Sequence, residues 1–224
     1  MGHLSIFGRF VFTIALSVTA SGLMAKDRES KPIIDPENQP LLDMLPDAGP
    51  AIKAARKDAI KLCKKDDMDA CERAGYYYRG GVGGVADPQK AYAVWKKACD
   101  ATKPKSCLEY GRMASAGLGG AQDYPAAFAA FDFACKAELQ KACTNTGVHY
   151  QFGRGVEKNV ELARLIFTRS CAKEEVVGCH NRAVILLQLG GPMNDELARL
   201  ELKENCDRKY QPSCDLSASL PPLN

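Results

Sequence analysis

Residues 63–107 read CKKDDMDACERAGYYYRGGVGGVADPQKAYAVWKKACDATKPKSC, and the fold is decided within this stretch. Two cysteines eight residues apart, Cys63 and Cys71, are followed by a glycine-rich segment, an Asp-Pro step, Ala91, Trp95 and a second pair with the same spacing, Cys99 and Cys107. Working outward, the pairs recur as Cys135 and Cys143, Cys171 and Cys179, and Cys206 and Cys214, at successive offsets of 36, 36, 36 and 35 residues. A fixed period of this length marks a solenoid, in which each unit buries its face by stacking on its neighbours.

Other positions keep the register. Four residues past the second cysteine stand Gly75, Gly111, Gly147 and Ala183, small residues where backbones approach closely; twelve past it stand Gly83, Gly119, Gly155 and Gly191, in turns that need positive φ. Ala91, Ala127, Ala163 and Ala198, each followed at i+4 by Trp95, Phe131, Phe167 or Leu202, form a helical packing face. Each unit therefore predicts two antiparallel helices. The first runs from near the second cysteine to the glycine turn, and the second from an N-cap at Asp87, Asp123, Asn159 or Asn194 to the next cysteine. Residues 50–64 match a second helix alone and 211–218 a first helix, so the array, 50–218, comprises four full units flanked by half units, with a tail at 219–224. Cysteines eight apart in one continuous helix would lie about 12 Å apart along its axis, beyond the roughly 7 Å Cα separation that a bridge spans. A turn must intervene, and the expected pairing is local: Cys63–Cys71, Cys99–Cys107, Cys135–Cys143, Cys171–Cys179 and Cys206–Cys214.

Composition bounds the function. The 224 residues carry 30 Lys+Arg against 27 Asp+Glu, a net +3 that supplies no polybasic field for nucleic acid. Residues 1–25, with Arg9 before an apolar stretch and small residues up to Ala25, read as a cleaved secretory signal. The mature protein is then expected to have no transmembrane segment, to be periplasmic or secreted, and to hold its cysteines as disulfides rather than as metal ligands. Residues 26–49, with Pro32, Pro36, Pro40 and Pro46 among Asp35, Glu37, Asp43 and Asp47, form an acidic, proline-rich lead segment.

The 36-residue period, the paired cysteines, and the unit Gly75-Tyr76-Tyr77-Tyr78-Arg79-Gly80 followed by Gly83, Asp87, Ala91, Trp95, Ala98 and Cys99 resemble the Sel1-like repeat family, in particular its cysteine-rich branch typified by the Helicobacter cysteine-rich proteins. The resemblance covers about residues 50–216, and the fourth unit departs from it, with Leu187 and Leu189 at usually polar or glycine positions and one residue missing. It implies an all-α, right-handed α/α superhelical solenoid of TPR-like repeats with one disulfide per repeat junction. It also implies a non-catalytic, monomeric adaptor without cofactor that holds a protein or peptide in its concave groove. The expected groove residues are Tyr76, Tyr77, Arg79, Tyr110, Arg112, His149, Tyr150, Asn181 and Arg182, aromatic and arginine anchors on the first helix of each unit. The branch also suggests β-lactam binding or weak β-lactamase activity, and a further relative suggests an assembly factor for envelope or respiratory complexes.

Catalytic motifs are sparse. No nucleophile elbow, HExxH helix or Walker loop occurs. Ser170-Cys171-Ala172-Lys173 fits the SxxK pair of penicillin-recognising enzymes, but without its partner motifs, and Ser170 shares the register of Ala98 and Ala134. His149 and His180 occupy different registers, and a metal or haem site built on both is the sharper of two readings, the other being ordinary polar residues.

Overall fold

The computed structural model describes residues 48–221, so the expected signal, nearly all of the lead segment and residues 222–224 lie outside the described residues. Among the described residues the secondary structure is entirely helical. In chain order the helices are α1 (Ala48–Cys63), α2 (Met68–Gly80), α3 (Pro88–Asp100), α4 (Pro104–Ala116), α5 (Tyr124–Lys136), α6 (Gln140–Phe152), α7 (Val160–Cys171), α8 (Val176–Leu189), α9 (Pro192–Asp207) and α10 (Gln211–Ser219). Each packs against the next, giving an α/α solenoid of hairpins α2/α3, α4/α5, α6/α7 and α8/α9 between the single helices α1 and α10.

The eight-residue cysteine spacing has a local backbone cause. At Cys99, the N–H of Thr102 donates to the Cys99 carbonyl at 2.8 Å and that of Lys103 to the Ala98 carbonyl at 3.1 Å, a Schellman turn with Thr102 in the left-handed region at φ 62°. Lys103 is then the N-cap of α4, and one helical turn later the N–H of Cys107 donates to its carbonyl. Four residues of Schellman turn plus four of new helix bring the two cysteines together. The same hydrogen bonds recur at Asp66, Glu138, Glu174 and Lys209. All five local disulfides form, with Cα–Cα separations of 4.4–4.6 Å.

The core is a knob and a notch repeated. A Cβ on Gly111 would stand 2.7 Å from the Phe131 ring, and one on Gly147 2.5 Å from that of Phe167; Gly75 faces the Trp95 indole in the same way. Glycine in the first helix thus makes room for a fully buried aromatic from the second. In the fourth unit both members change together, Ala183 with Leu202, and both remain buried. Ala91, Ala127, Ala163 and Ala198 beside them are also fully buried.

Asp87, Asp123 and Asn159 cap α3, α5 and α7 as expected, accepting from the N–H of Lys90, Ala126 and Leu162. Asn194 does not cap α9. That helix begins at Pro192 after Gly191, and Asn194 lies inside it, donating its amide to the Gly190 carbonyl. Gly190-Gly191-Pro192 ends α8 in an extended turn, and Pro192 at the first helical position starts the next helix early. The missing residue is felt in packing: a Cβ on Gly83, Gly119 or Gly155 would run into Ile52, Pro88 or Tyr124 of the preceding unit, whereas one on Gly191 would meet open space.

Candidate binding face

Helical phase decides what α2, α4, α6 and α8 present. Positions two before, and two, five and nine after, the second cysteine form one stripe along each first helix: Asp69, Arg73, Tyr76 and Gly80; Lys105, Glu109, Arg112 and Ala116; Lys141, Asn145, Val148 and Phe152; Val177, Asn181, Val184 and Gln188, with Tyr76 and Val148 at its edge also packing on the partner helix. All are exposed or half-buried except Glu109, 5% exposed. The face is charged across the first two units and mostly neutral across the last two.

Its best-ordered part joins two repeats. Arg79 of α2 donates to Glu109 of α4 at 2.6 Å, and Arg112, one turn after Glu109, lies 3.5 Å from its other oxygen. The Arg79 guanidinium also sits 5.3 Å from the centres of the Tyr76 and Trp95 rings, which meet edge to face. Two arginines on one carboxylate leave a net positive charge at the surface, and stacking fixes one of them in place.

Of the expected groove residues, Tyr76, Arg79, Arg112 and Asn181 lie on or beside this face. Tyr77, Tyr110 and His149 are buried instead, 1%, 7% and 2% exposed. The position of Tyr77 and His149 is a core column completed by Met113 and Ile185, so the helix turns these side chains inward. Tyr110 bonds the Tyr92 hydroxyl, and burial with that bond raises its pKa. Tyr150 packs edge to face on Phe128, and Arg182 makes a bidentate pair with buried Glu201 on its own hairpin, so both point away from the face. Arg73, Lys105, Glu109, Asn145 and Val148 belong to it without having been expected; the offset of two or five from each second cysteine was the signal that locates them.

The chemical candidates resolve into packing. Ser170 is fully buried, its Oγ has no hydrogen-bond partner among the described residues, and Lys173 is exposed, so the SxxK serine is a core residue and its lysine a surface one. His149 donates from Nδ1 to the Arg154 carbonyl at 2.6 Å and faces the Ser115 hydroxyl with Nε2; burial lowers its pKa and keeps it neutral. His180 contacts Ser213 at 3.0 Å and Tyr210, at a different junction, and its pKa is also lowered by burial. Among the described residues no group of three or more His, Cys, Asp or Glu is placed to hold a metal ion, and no helix is long and apolar enough to cross a membrane. A cleft of about 210 Å³ between α1, α2 and α3, lined by Ile60, Tyr78 and Val94, is smaller than the ~300–1,000 Å³ of ordinary ligand pockets.

Residues 69–102, 104–137 and 140–174 match the Sel1 repeat family model; the fourth unit, with its altered turn, is not among the matched stretches. The fold is similar to that of a Sel1 repeat protein from Oxalobacter formigenes, at 19% identity and TM-score 0.68 over 82% of this chain and 81% of that one. It is also similar to a protective antigen of uropathogenic Escherichia coli strains displaying an SLR fold, at 19% identity and TM-score 0.64 over 74% of this chain; the match spans 36% of that antigen's length. Helicobacter pylori cysteine rich protein B matches at 24% identity and TM-score 0.44 over 57% of this chain and 91% of that one. No curated protein sequence matches the chain. With three matched units and hairpins that repeat down to their hydrogen bonds, the chain carries Sel1 repeats whose junctions are closed by disulfides.

Proposed function

We propose that the protein is an exported scaffold of the cell envelope that binds a protein or extended peptide along the exposed face of α2, α4, α6 and α8, without catalysis of its own. The observation that carries this reading is the Arg79–Glu109–Arg112 cluster. It commits charged and aromatic anchors from two repeats to one rigid surface before any partner arrives, which lowers the ordering cost of binding. Five disulfides support an oxidising compartment. The test is cross-linking of the tagged protein in native envelope, with Tyr76→Ala/Arg112→Ala alongside. The double variant should stay folded by circular dichroism, melting somewhat lower because Tyr76 also packs on Trp95, and lose the wild-type partner about tenfold or more. A partner captured equally by both proteins sinks the assignment to this face, and hydrolysis of nitrocefin above background that Ser170→Ala leaves intact would reveal a catalytic site elsewhere.

A further inference from the structure

Helix α9 is apolar on two opposite sides. Its inner side places Ala198 and Leu202 in the core, while its outward side carries Met193, Leu197 and Leu200, spaced four and three residues apart and 82%, 44% and 60% exposed. On the preceding outer helix, α7, Leu165 is 53% exposed in the register of Leu200, and half-buried Leu162 shares the register of Leu197. The exposed leucines therefore share one register on successive outer helices of the array. At the same two positions α3 has Lys90 and Ala93, and α5 has Ala126 and Ala129, so the surface is confined to the last two hairpins.

We propose that a second copy of this chain covers the outer face of α7 and α9, forming an isologous dimer in place of the monomer expected from sequence. Size favours this occupant. Met193, Leu197, Leu200 and Leu165 together expose on the order of 400–500 Å², as much as the largest apolar patch of a typical monomer. A two-fold axis doubles that to roughly 1,000 Å², the lower bound for a specific interface. Charge favours it as well: the exposed charges beside these residues are of both signs, Glu161, Glu196, Glu204 and Asp207 with Arg164, Arg169 and Lys203. A rim of both signs is self-complementary across a two-fold, and offers no basic excess to draw an anionic bilayer. The face lies on the outer helices, away from the Arg79–Glu109 cluster, so dimerisation leaves the proposed partner face open.

Sedimentation equilibrium of the oxidised protein over about 1–200 µM brackets the affinity of an interface this small. The mass should rise to twice that of the chain. In Leu197→Glu/Leu200→Glu it should remain that of one chain throughout, with unchanged circular dichroism and melting, because both side chains face solvent in the monomer. Leu165→Glu, on the neighbouring helix, should independently weaken association tenfold or more, and Lys90→Glu/Ala93→Glu, at the equivalent positions of α3, should leave it intact. A wild-type protein of single-chain mass at every concentration overturns the proposal, as does a dimer indifferent to the α7 and α9 substitutions. Single-chain protein that instead co-sediments with phosphatidylcholine/phosphatidylglycerol vesicles, and ceases to in Leu197→Glu/Leu200→Glu, overturns it by placing lipid on the face.

Discussion

At the scale of single residues, the core depends on pairs that are correct only together. Gly111 leaves 2.7 Å between the site of a missing Cβ and the Phe131 ring, too little for a methyl group, and Phe131 is buried at 1% exposure. Gly111→Ala gains helix propensity of about 1 kcal/mol and loses more to overpacking, typically 1–3 kcal/mol and occasionally beyond. The expected net change in urea unfolding is a destabilisation of up to about 2 kcal/mol. The fourth unit already holds the compensated pair, Ala183 with Leu202. Phe131→Leu alone should destabilise by leaving a void beside Gly111, yet in Gly111→Ala/Phe131→Leu the added methyl fills part of that void. The double variant should therefore be more stable than the sum of the single changes implies, by about 1 kcal/mol or more. Strict additivity in the cycle would mean that the notch does not select the knob.

At the scale of elements, the inter-repeat junction was legible because its constraints are local. Eight residues between cysteines equal one Schellman turn and one turn of helix, and no distant contact enters that sum. The caps Asp87, Asp123 and Asn159 were legible for the same reason. Asn194 misled because its neighbours, Gly190-Gly191-Pro192, start a helix three residues sooner than the repeat predicts. The binding face was half legible: residue types singled out Tyr77, Tyr110 and His149, but helical phase buries them, and only comparison down the column with Met113 and Ile185 reveals it. Left-handed backbone at all five junctions had no compositional signal, since Asp66, Thr102, Glu138, Glu174 and Lys209 are all non-glycine. Thr102 is the most costly of them, being β-branched at φ 62°. Thr102→Asn keeps the Schellman turn and relieves that cost, so it should stabilise the protein by about 0.5–1 kcal/mol in urea. The same change at Lys209, which is not β-branched, should yield less. A Thr102→Asn protein no more stable than wild type would show that the Schellman bonds, rather than the side chain, set the energy of this junction.

At the scale of the molecule, helices pack on their chain neighbours, so stability accumulates unit by unit instead of residing in one central core. Each bridge closes a nine-residue loop, worth roughly 2–3 kcal/mol in the chain-entropy model. Five such contributions are comparable to the ~5–15 kcal/mol net stability of an ordinary domain, and full reduction with alkylation should abolish most of the helical circular dichroism at neutral pH. Loss of a single bridge should depend on its place. Cys206 and Cys214 tie only α10, whose buried contribution is small, to the array. Cys206→Ser/Cys214→Ser should accelerate amide exchange in α10 and leave the urea midpoint of α1 to α9 nearly unchanged. Cys135 and Cys143 join α5 to α6, with folded hairpins on both sides. Cys135→Ser/Cys143→Ser weakens the coupling between those blocks, so the midpoint should fall by the equivalent of about 2–3 kcal/mol and the transition should broaden as the halves begin to unfold separately. Equal effects from the two pairs, measured by urea titration with hydrogen exchange, would mean that the array folds as one cooperative core, against the nearest-neighbour packing that its helices display.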